Sequence, residues 1–326
     1  MKIGTIDLGE KPLFFAPMED ISDPSFRRLC KEFGADMMYT EFVSSDGLIR
    51  DAGKSLRKLE LSANERPVGI QIYGKDPVAM VEAAKRCQEA RPDLIDLNFG
   101  CPVKRVAGKG AGAGLLQNIP LMLEITQKVV QAVNIPVTVK TRLGWDENDK
   151  PIVQLAEQLQ DCGIAALTVH GRTRSQMYKG EADWTLIGEI KKNPRMKIPI
   201  IGNGDVTSAA IAKEKFEIFG VDGIMIGRAA IGRPWIFREV KHYLKTGETL
   251  PPLTVGEKVA LAKRHLAYSL DWKGGITGVF EMRQHFSNYF KALPDFKSTR
   301  TRLVTETNPE TIIEILDEIA EKWAGY

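Results

Sequence analysis

Cysteine is scarce, with 4 in 326 residues. That is too few for a disulfide framework, and Cys30, Cys87, Cys101 and Cys162 show none of the paired spacing of a zinc site. Long hydrophobic runs are missing too. No stretch approaches the roughly 18 consecutive apolar residues of a membrane helix, and the opening MKIGTIDLGEKPLFF lacks the apolar core and cleavage site of a signal peptide. The excess of charge is small, 45 Lys and Arg against 42 Asp and Glu, and does not by itself argue for nucleic acid. The expectation is a cytoplasmic protein with no membrane and no metal. What is present is ample core material: 43% hydrophobic and 27% charged residues exclude a disordered or collagenous chain. The length suits one large domain or two ordinary ones.

Short apolar or β-branched runs recur, each followed by polar or glycine-rich residues and then a helical stretch. Strands are expected at Leu13–Ala16, Met37–Thr40, Val68–Ile72, Leu94–Leu97, Val137–Val139, Ala166–Val169, Pro199–Ile201 and Gly223–Ile226. Helix-period segments lie between them, among them Pro77–Ala90, Pro120–Val133, Ile152–Cys162 and Ser208–Phe219. Strands apolar on both faces suit a parallel sheet covered on both sides. Eight βα units ending near residue 240 predict a (β/α)8 TIM barrel. A doubly wound open sheet is the alternative, disfavoured because no strand–GxGxxG–helix unit opens the chain.

After Arg233-Pro234-Trp235 the pattern changes. Pro251-Pro252 marks a linker, and helical patterns follow at Val255–Trp272, Ile276–Leu293 and Pro309–Trp323. The expected division is a barrel over residues 1–240 and a small helical domain over 241–326. Residues 233–305 carry 13 Lys and Arg against 6 Asp and Glu, a local excess typical of an electrostatic footprint.

Chemistry in such a barrel belongs at the C-terminal ends of the strands. The residues there are Pro17-Met18, Glu41, Gln71, Asn98 with Cys101, Lys140, His170, Asn203-Gly204-Asp205 and Gly227-Arg228. The last two motifs follow strands seven and eight, where backbone N–H groups commonly bind phosphate, and Arg228 can add a charge-assisted contact. Lys140 is open to three readings: Schiff-base nucleophile, electrostatic clamp or solvated charge. A phosphate-bearing cofactor across the barrel favours the clamp, since a cation near N1 and O2 of a flavin stabilises the reduced ring. Gln71 suits the pyrimidine edge of a flavin, and His170 is open to two readings, a residue near the ring or substrate and a histidine that is simply hydrogen-bonded. Cys30, Cys87 and Cys162 lie in helical patterns and are expected to be inert and buried. Cys101, bracketed by Gly100 and Pro102 at the rim, is the functional candidate. The glycine-rich stretch 108–114 is not a Walker loop and reads as a mobile lid.

These residues resemble the tRNA-dihydrouridine synthases, most closely the bacterial subgroup often labelled B. The matching strings are Ala16-Pro17-Met18, Gln71-Ile72-Tyr73-Gly74, Asn98-Phe99-Gly100-Cys101-Pro102, Val139-Lys140-Thr141-Arg142-Leu143-Gly144-Trp145, Val169-His170-Gly171-Arg172-Thr173, Gly202-Asn203-Gly204-Asp205 and Gly227-Arg228-Ala229. The resemblance implies an oxidoreductase that uses FMN, with NADPH or NADH as electron donor, to reduce the C5–C6 bond of uridines in the D-loop of tRNA. It implies Pro17, Met18, Glu19, Gln71, Lys140, His170, Asn203, Gly204, Asp205, Gly227 and Arg228 as cofactor-binding, Asn98 and Arg142 as substrate-binding, and Cys101 as the catalytic acid. An acid must start protonated, unlike a nucleophilic cysteine with a depressed pKa. The chain departs from the family at Glu19-Asp20, where many members have Ala-Gly, and at Gln284 and Asn288, where Lys and Trp are usual. A monomer is expected. Two other functions are compatible with parts of the pattern: an FMN barrel acting on a free pyrimidine, and a tRNA-binding module without catalysis.

Overall fold

The computed structural model describes all residues, Met1–Tyr326. Eight parallel strands, β1 (Leu13–Phe15), β2 (Met38–Tyr39), β3 (Val68–Tyr73), β4 (Leu94–Asn98), β5 (Val137–Arg142), β6 (Ala166–His170), β7 (Ile200–Asn203) and β8 (Gly223–Ile226), pair in sequence order. β8 pairs with β1, and a Phe14–Met37 bridge joins the first two strands, so the sheet closes into a barrel. The (β/α)8 expectation holds. A second two-residue strand, Val43–Ser44, extends the edge beside β3.

One helix or more follows each strand: α1 (Pro24–Glu32), α2 (Ser45–Ile49), α3 (Pro77–Glu89), α4 (Ile119–Ala132), α5 (Ile152–Asp161), α6 (Thr185–Lys192), α7 (Ala209–Phe219) and α8 (Ile236–Thr246). Their starts are written in local chemistry. Asp23, Asp76, Asn118 and Ser208 each accept a hydrogen bond from a first-turn N–H, and proline in the first turn reinforces three of these starts.

Two hydrophobic clusters result. The smaller fills the barrel: Ile3, Leu8, Phe14, Met37, Tyr39, Leu94, Ala166, Ile201 and Met225 are its main members. Ile3 and Leu8 belong to an N-terminal hairpin, Lys2–Ile3 against Ile6–Asp7, which seals the end of the barrel away from the strand C-termini. Its strands are too short to carry a readable period, so the sequence did not announce it.

The larger cluster lies between strands and helices and runs on into the tail. The tail comprises α9 (Val255–Lys273), α10 (Gly275–Tyr289), α11 (Lys297–Thr305) and α12 (Pro309–Lys322). α11, rich in Lys, Arg, Ser and Thr, has almost no apolar stripe and was not expected. Residue 240 falls inside α8, and the first tail helix starts 15 residues later, with a Thr254–Glu257 capping box. Phe26 of α1 is fully buried against His265 of α9 and His285 of α10, with ring centroids 5.1 and 4.2 Å away. Such a ring contributes about 1.5–3 kcal/mol of burial energy at the barrel–tail seam. No helix is long and apolar enough to cross a membrane.

Candidate active site

Strand register, more than loop sequence, assembles the site. Asn98 pairs with Lys140, Arg142 with His170, and His170 with Asn203, so these side chains end in neighbouring layers at the same mouth. β4, β5, β6 and β7 each extend one to three residues past their expected ends. The residues expected just beyond the strands are therefore the last strand residues, held by the ladder.

A cavity of about 670 Å³ opens at this mouth. Pro17, Met18, Glu19, Asn98, Cys101, Lys140, Arg142, His170, Asn203, Gly204, Asp205, Gly227 and Arg228 all lie on its wall. Gln71 does not. It is fully buried one layer below, with its Nε2 donating to Asp96 at 2.7 Å and its Oε1 accepting from Asn98 at 2.8 Å.

At one end of the cavity sits the Cys101 loop. Asn98 Oδ1 accepts from the backbone N–H groups of Gly100 and Cys101 at 3.0 and 2.9 Å. Burial pushes the Cys101 thiol up, outweighing the hydrogen bond from Val103 and the positive charges of Arg142 and Arg105. The sulfur therefore keeps its proton at neutral pH. The glycine-rich stretch is not a free lid along its length. Ala111–Leu116 is buried, Ala113 donates to the Cys101 carbonyl at 3.1 Å, and a Cβ at Gly112 would lie 3.1 Å from that of Cys101. The glycines permit close packing beneath the thiol.

Lys140 and Arg142 stand beside the loop. Burial lowers the Lys140 ammonium to about 8, with the Arg142 charge adding to the effect and Asp96 and Cys101 opposing it. Arg142, 2% exposed, spends two nitrogens on loop carbonyls, those of Gly100, Thr173 and Met177 at 2.8–2.9 Å. Burial holds it down to about 10. Burial and the surrounding arginines and Lys140 push His170 well below its ordinary value, so its imidazole is neutral.

The far end is cationic and glycine-lined. Asp205 accepts from Arg172 at 3.0 and 2.6 Å and from Arg228 at 3.0 Å. Burial raises the Asp205 carboxyl, but hydrogen bonds from Arg172 and Ala182 and the two arginine charges leave it below the usual range. Asn203 Nδ2 ties β7 to the Met225 carbonyl of β8 at 2.8 Å. The backbone N–H groups of Gly204 and Gly227 have no protein acceptor. Gly204 adopts φ +125°, and a Cβ there would come within 2.6 Å of Ala182. Glu19, in the loop after β1, is held by Lys58 at 2.7 and 2.8 Å.

Phe42, Arg105 and Tyr178 also line the cavity and were not singled out in the sequence. Tyr178 lies under Arg228, 4.9 Å from ring to guanidinium, and 5.6 Å from Arg142. It sits in a loop without periodicity, so only the fold brings it to the site. Arg172 was legible as part of a matching string, but its pairing with Asp205 33 residues away was not.

The sequence profile of the dihydrouridine synthase family matches residues 14–322. The tRNA-dihydrouridine synthase B of Shewanella oneidensis is 40% identical over 98% of this chain and 100% of its own. Among solved structures, 2-naphthoyl-CoA reductase in complex with 2-naphthoyl-CoA superposes with a TM-score of 0.60 at 13% identity, covering 74% of this chain, which spans about half (51%) of that one. A morphinone reductase variant in complex with tetrahydroNAD gives 0.54 at 13% identity, over 76% of this chain and 89% of that one. At such identities the structural likeness speaks for the fold alone.

Proposed function

The chain belongs to the dihydrouridine synthase family, and from that premise we propose that its barrel mouth reduces the C5–C6 double bond of a D-loop uridine in tRNA, in the cytoplasm, with FMN as resident cofactor and NADPH as electron donor. The observation that carries the reading is a half-buried, protonated thiol beside two cations, facing a cationic, glycine-lined pocket end.

The residues fit FMN. The cavity volume lies in the range of cofactor sites. The free N–H groups of Gly204 and Gly227, with the half-exposed Arg228, suit a phosphate. Asn203 and Asp205 frame that end, and Pro17, Met18 and Glu19 would flank the cofactor from the β1 loop. Lys140 and His170 would meet its ring side, with Gln71 acting from below through Asn98. Bound FMN would supply a hydride to C6 of the uracil.

The chain's own residues handle the proton and the charge. Cys101 donates its Sγ proton to C5, leaving a thiolate that recovers a proton from solvent; positioned acids of this kind contribute about 10²–10⁴-fold. Lys140 stabilises the negative charge that builds toward O4 and the thiolate left behind. Asn98 and Arg142 orient the uracil edge, and neutral His170 offers a hydrogen bond without adding a third charge. A stacked uridine reaches this depth only when turned out of its helix or loop, at a cost of a few kcal/mol. Phosphate contacts from the basic tail offset that cost. The labour thus divides between the barrel, about residues 1–240, and the helical tail, 241–326.

The test is an absorbance spectrum of the purified protein followed by NADPH oxidation with unmodified tRNA, free uracil or orotate. A flavin spectrum and dihydrouridine formed only in tRNA are expected. Turnover of a free base, or tRNA binding by a protein that cannot be loaded with FMN, would replace this reading.

A further inference from the structure

Barrels of this class are filled by layers of branched aliphatic side chains, and this one breaks that pattern one layer below the cavity. Asp96 on β4 is 1% exposed. Its register partners are Gln71 on β3 and Thr138 on β5. Oδ2 accepts from Gln71 Nε2 at 2.7 Å, and Oδ1 accepts the Thr138 hydroxyl at 2.5 Å. The titratable groups facing it are Lys140 of β5 and Tyr39 of β2. Burial lifts its carboxyl to about 6, against the pull of Gln71, Thr138 and Lys140. A buried carboxylate costs stability unless its partners are well placed, and no step of the reaction above touches it.

Its use lies in what the neighbouring amides cannot decide alone. Gln71 and Asn98 each have a donating and an accepting end and can turn over. A carboxylate only accepts. Gln71 must therefore point its NH2 at Asp96, which leaves its oxygen for Asn98. Asn98 must then give its NH2 to Gln71, which leaves its oxygen for the N–H groups of Gly100 and Cys101. In the reverse direction Asn98 would present its NH2 to two N–H groups, and the loop would lose both bonds.

We propose that Asp96 is a positioning residue for the proton-donating thiol: through Gln71 and Asn98, its acceptor-only carboxylate sets the direction of the hydrogen-bond chain that ends on the Cys101 backbone. The inference rests on the role assigned to Cys101 above, but its geometry requires neither flavin nor tRNA.

The experiment measures alkylation of Cys101 by iodoacetamide, followed by peptide mass spectrometry on the full-length protein with and without FMN. It compares the wild type, Asp96→Asn and the double variant Gln71→Glu/Asp96→Asn. In the single variant only the Gly100 and Cys101 N–H groups still favour the observed direction, and the reversed chain, with the Cys101 loop open, gains population. Alkylation is expected to rise about tenfold, the equivalent of one lost buried hydrogen bond. In the double variant the carboxylate at 71 accepts from both amides, restores the direction at Asn98 and returns the rate to near wild type. A merely structural carboxylate would lower the melting temperature of both variants without this rescue. Equal rates in wild type and Asp96→Asn, or a double variant as reactive as the single, overturn the proposal. Should Asp96→Asn not fold, Gln71→Met cuts the chain at its middle, and there faster alkylation supports the proposal and an unchanged rate overturns it. A wild type that makes no dihydrouridine refutes the function, while the alkylation series still reads Asp96.

Discussion

Beneath Cys101 the polar groups are tied to one another inside the barrel, whereas at the Arg228 end of the same cavity the charges reach solvent. Asn98, Gln71, Asp96 and Thr138 form a chain in which all four members are buried. Arg228 is 51% and Asp205 34% exposed, and their 3.0 Å pair is open to water and salt. The contrast separates two tasks. Proton donation needs an atom held in one place and kept protonated, which a dry hydrogen-bonded environment supplies. Holding an anion needs a cation that can leave an internal partner for a ligand, and the half-exposed Arg228, paired with an aspartate that the buried Arg172 also holds, does that. The far end is thus poised for exchange, the thiol end for constancy.

If that separation is right, replacing Cys101 should hurt turnover alone. Cys101→Ala is expected to slow dihydrouridine formation about 10²–10⁴-fold while FMN content and tRNA affinity stay unchanged, as read by mass spectrometry of the tRNA, absorbance and filter binding. Normal turnover would remove the acid assignment.

The pH profile sharpens the same point. Cys101 is shifted upward and keeps its proton through neutral pH, whereas Lys140, lowered to about 8, loses its charge first as pH rises. The rate of uridine reduction should therefore fall above about pH 8, and Lys140→Arg should move that limb upward because a guanidinium stays charged. An identical limb in the variant would assign it to another group.

At the other end, Arg228→Ala should weaken FMN retention about ten- to a hundredfold, the range of one charge-assisted hydrogen bond. The loss should shrink at high salt, and the reduction rate at saturating FMN should change little. A rate defect that survives saturation would mean that the two ends are not separate. The smallest effect is expected in the tail. Reversing one exposed cation such as Lys291 or Arg300 should cost tRNA affinity a few-fold and reduce the salt slope by about one unit if it meets a phosphate. Titrations at two salt concentrations would show it.

Much of this was legible in the chain. The eight barrel strands were readable because a parallel sheet covered on both faces favours apolar runs, as in Gly-Ile-Met-Ile of β8. The rim residues were readable because the fold confines chemistry to one end of each strand. The hairpin sealing the barrel floor and the polar helix α11 escaped, since two-residue strands and a stripe-free helix leave no periodic trace. The lid reading of residues 108–114 meets packed chain only from Ala111 onward, while 108–110 is exposed or half-buried: glycine permits mobility and close packing alike, and only the neighbours decide which.

The sequence by itself determined the kind of protein, because strand period, capping residues and the order of motifs are local properties written within a few residues of one another. It named Gln71, Asn98 and Cys101 as rim candidates but left the layer each would occupy undecided. Tertiary structure decided that Gln71 lies below the wall, that its amide donates to Asp96, and that Arg172 and Arg228 share the Asp205 carboxylate. Those facts depend on strand register and on contacts between residues tens of positions apart. Hydrogen-bond direction is a property of the whole chain of partners, and no single residue type specifies it.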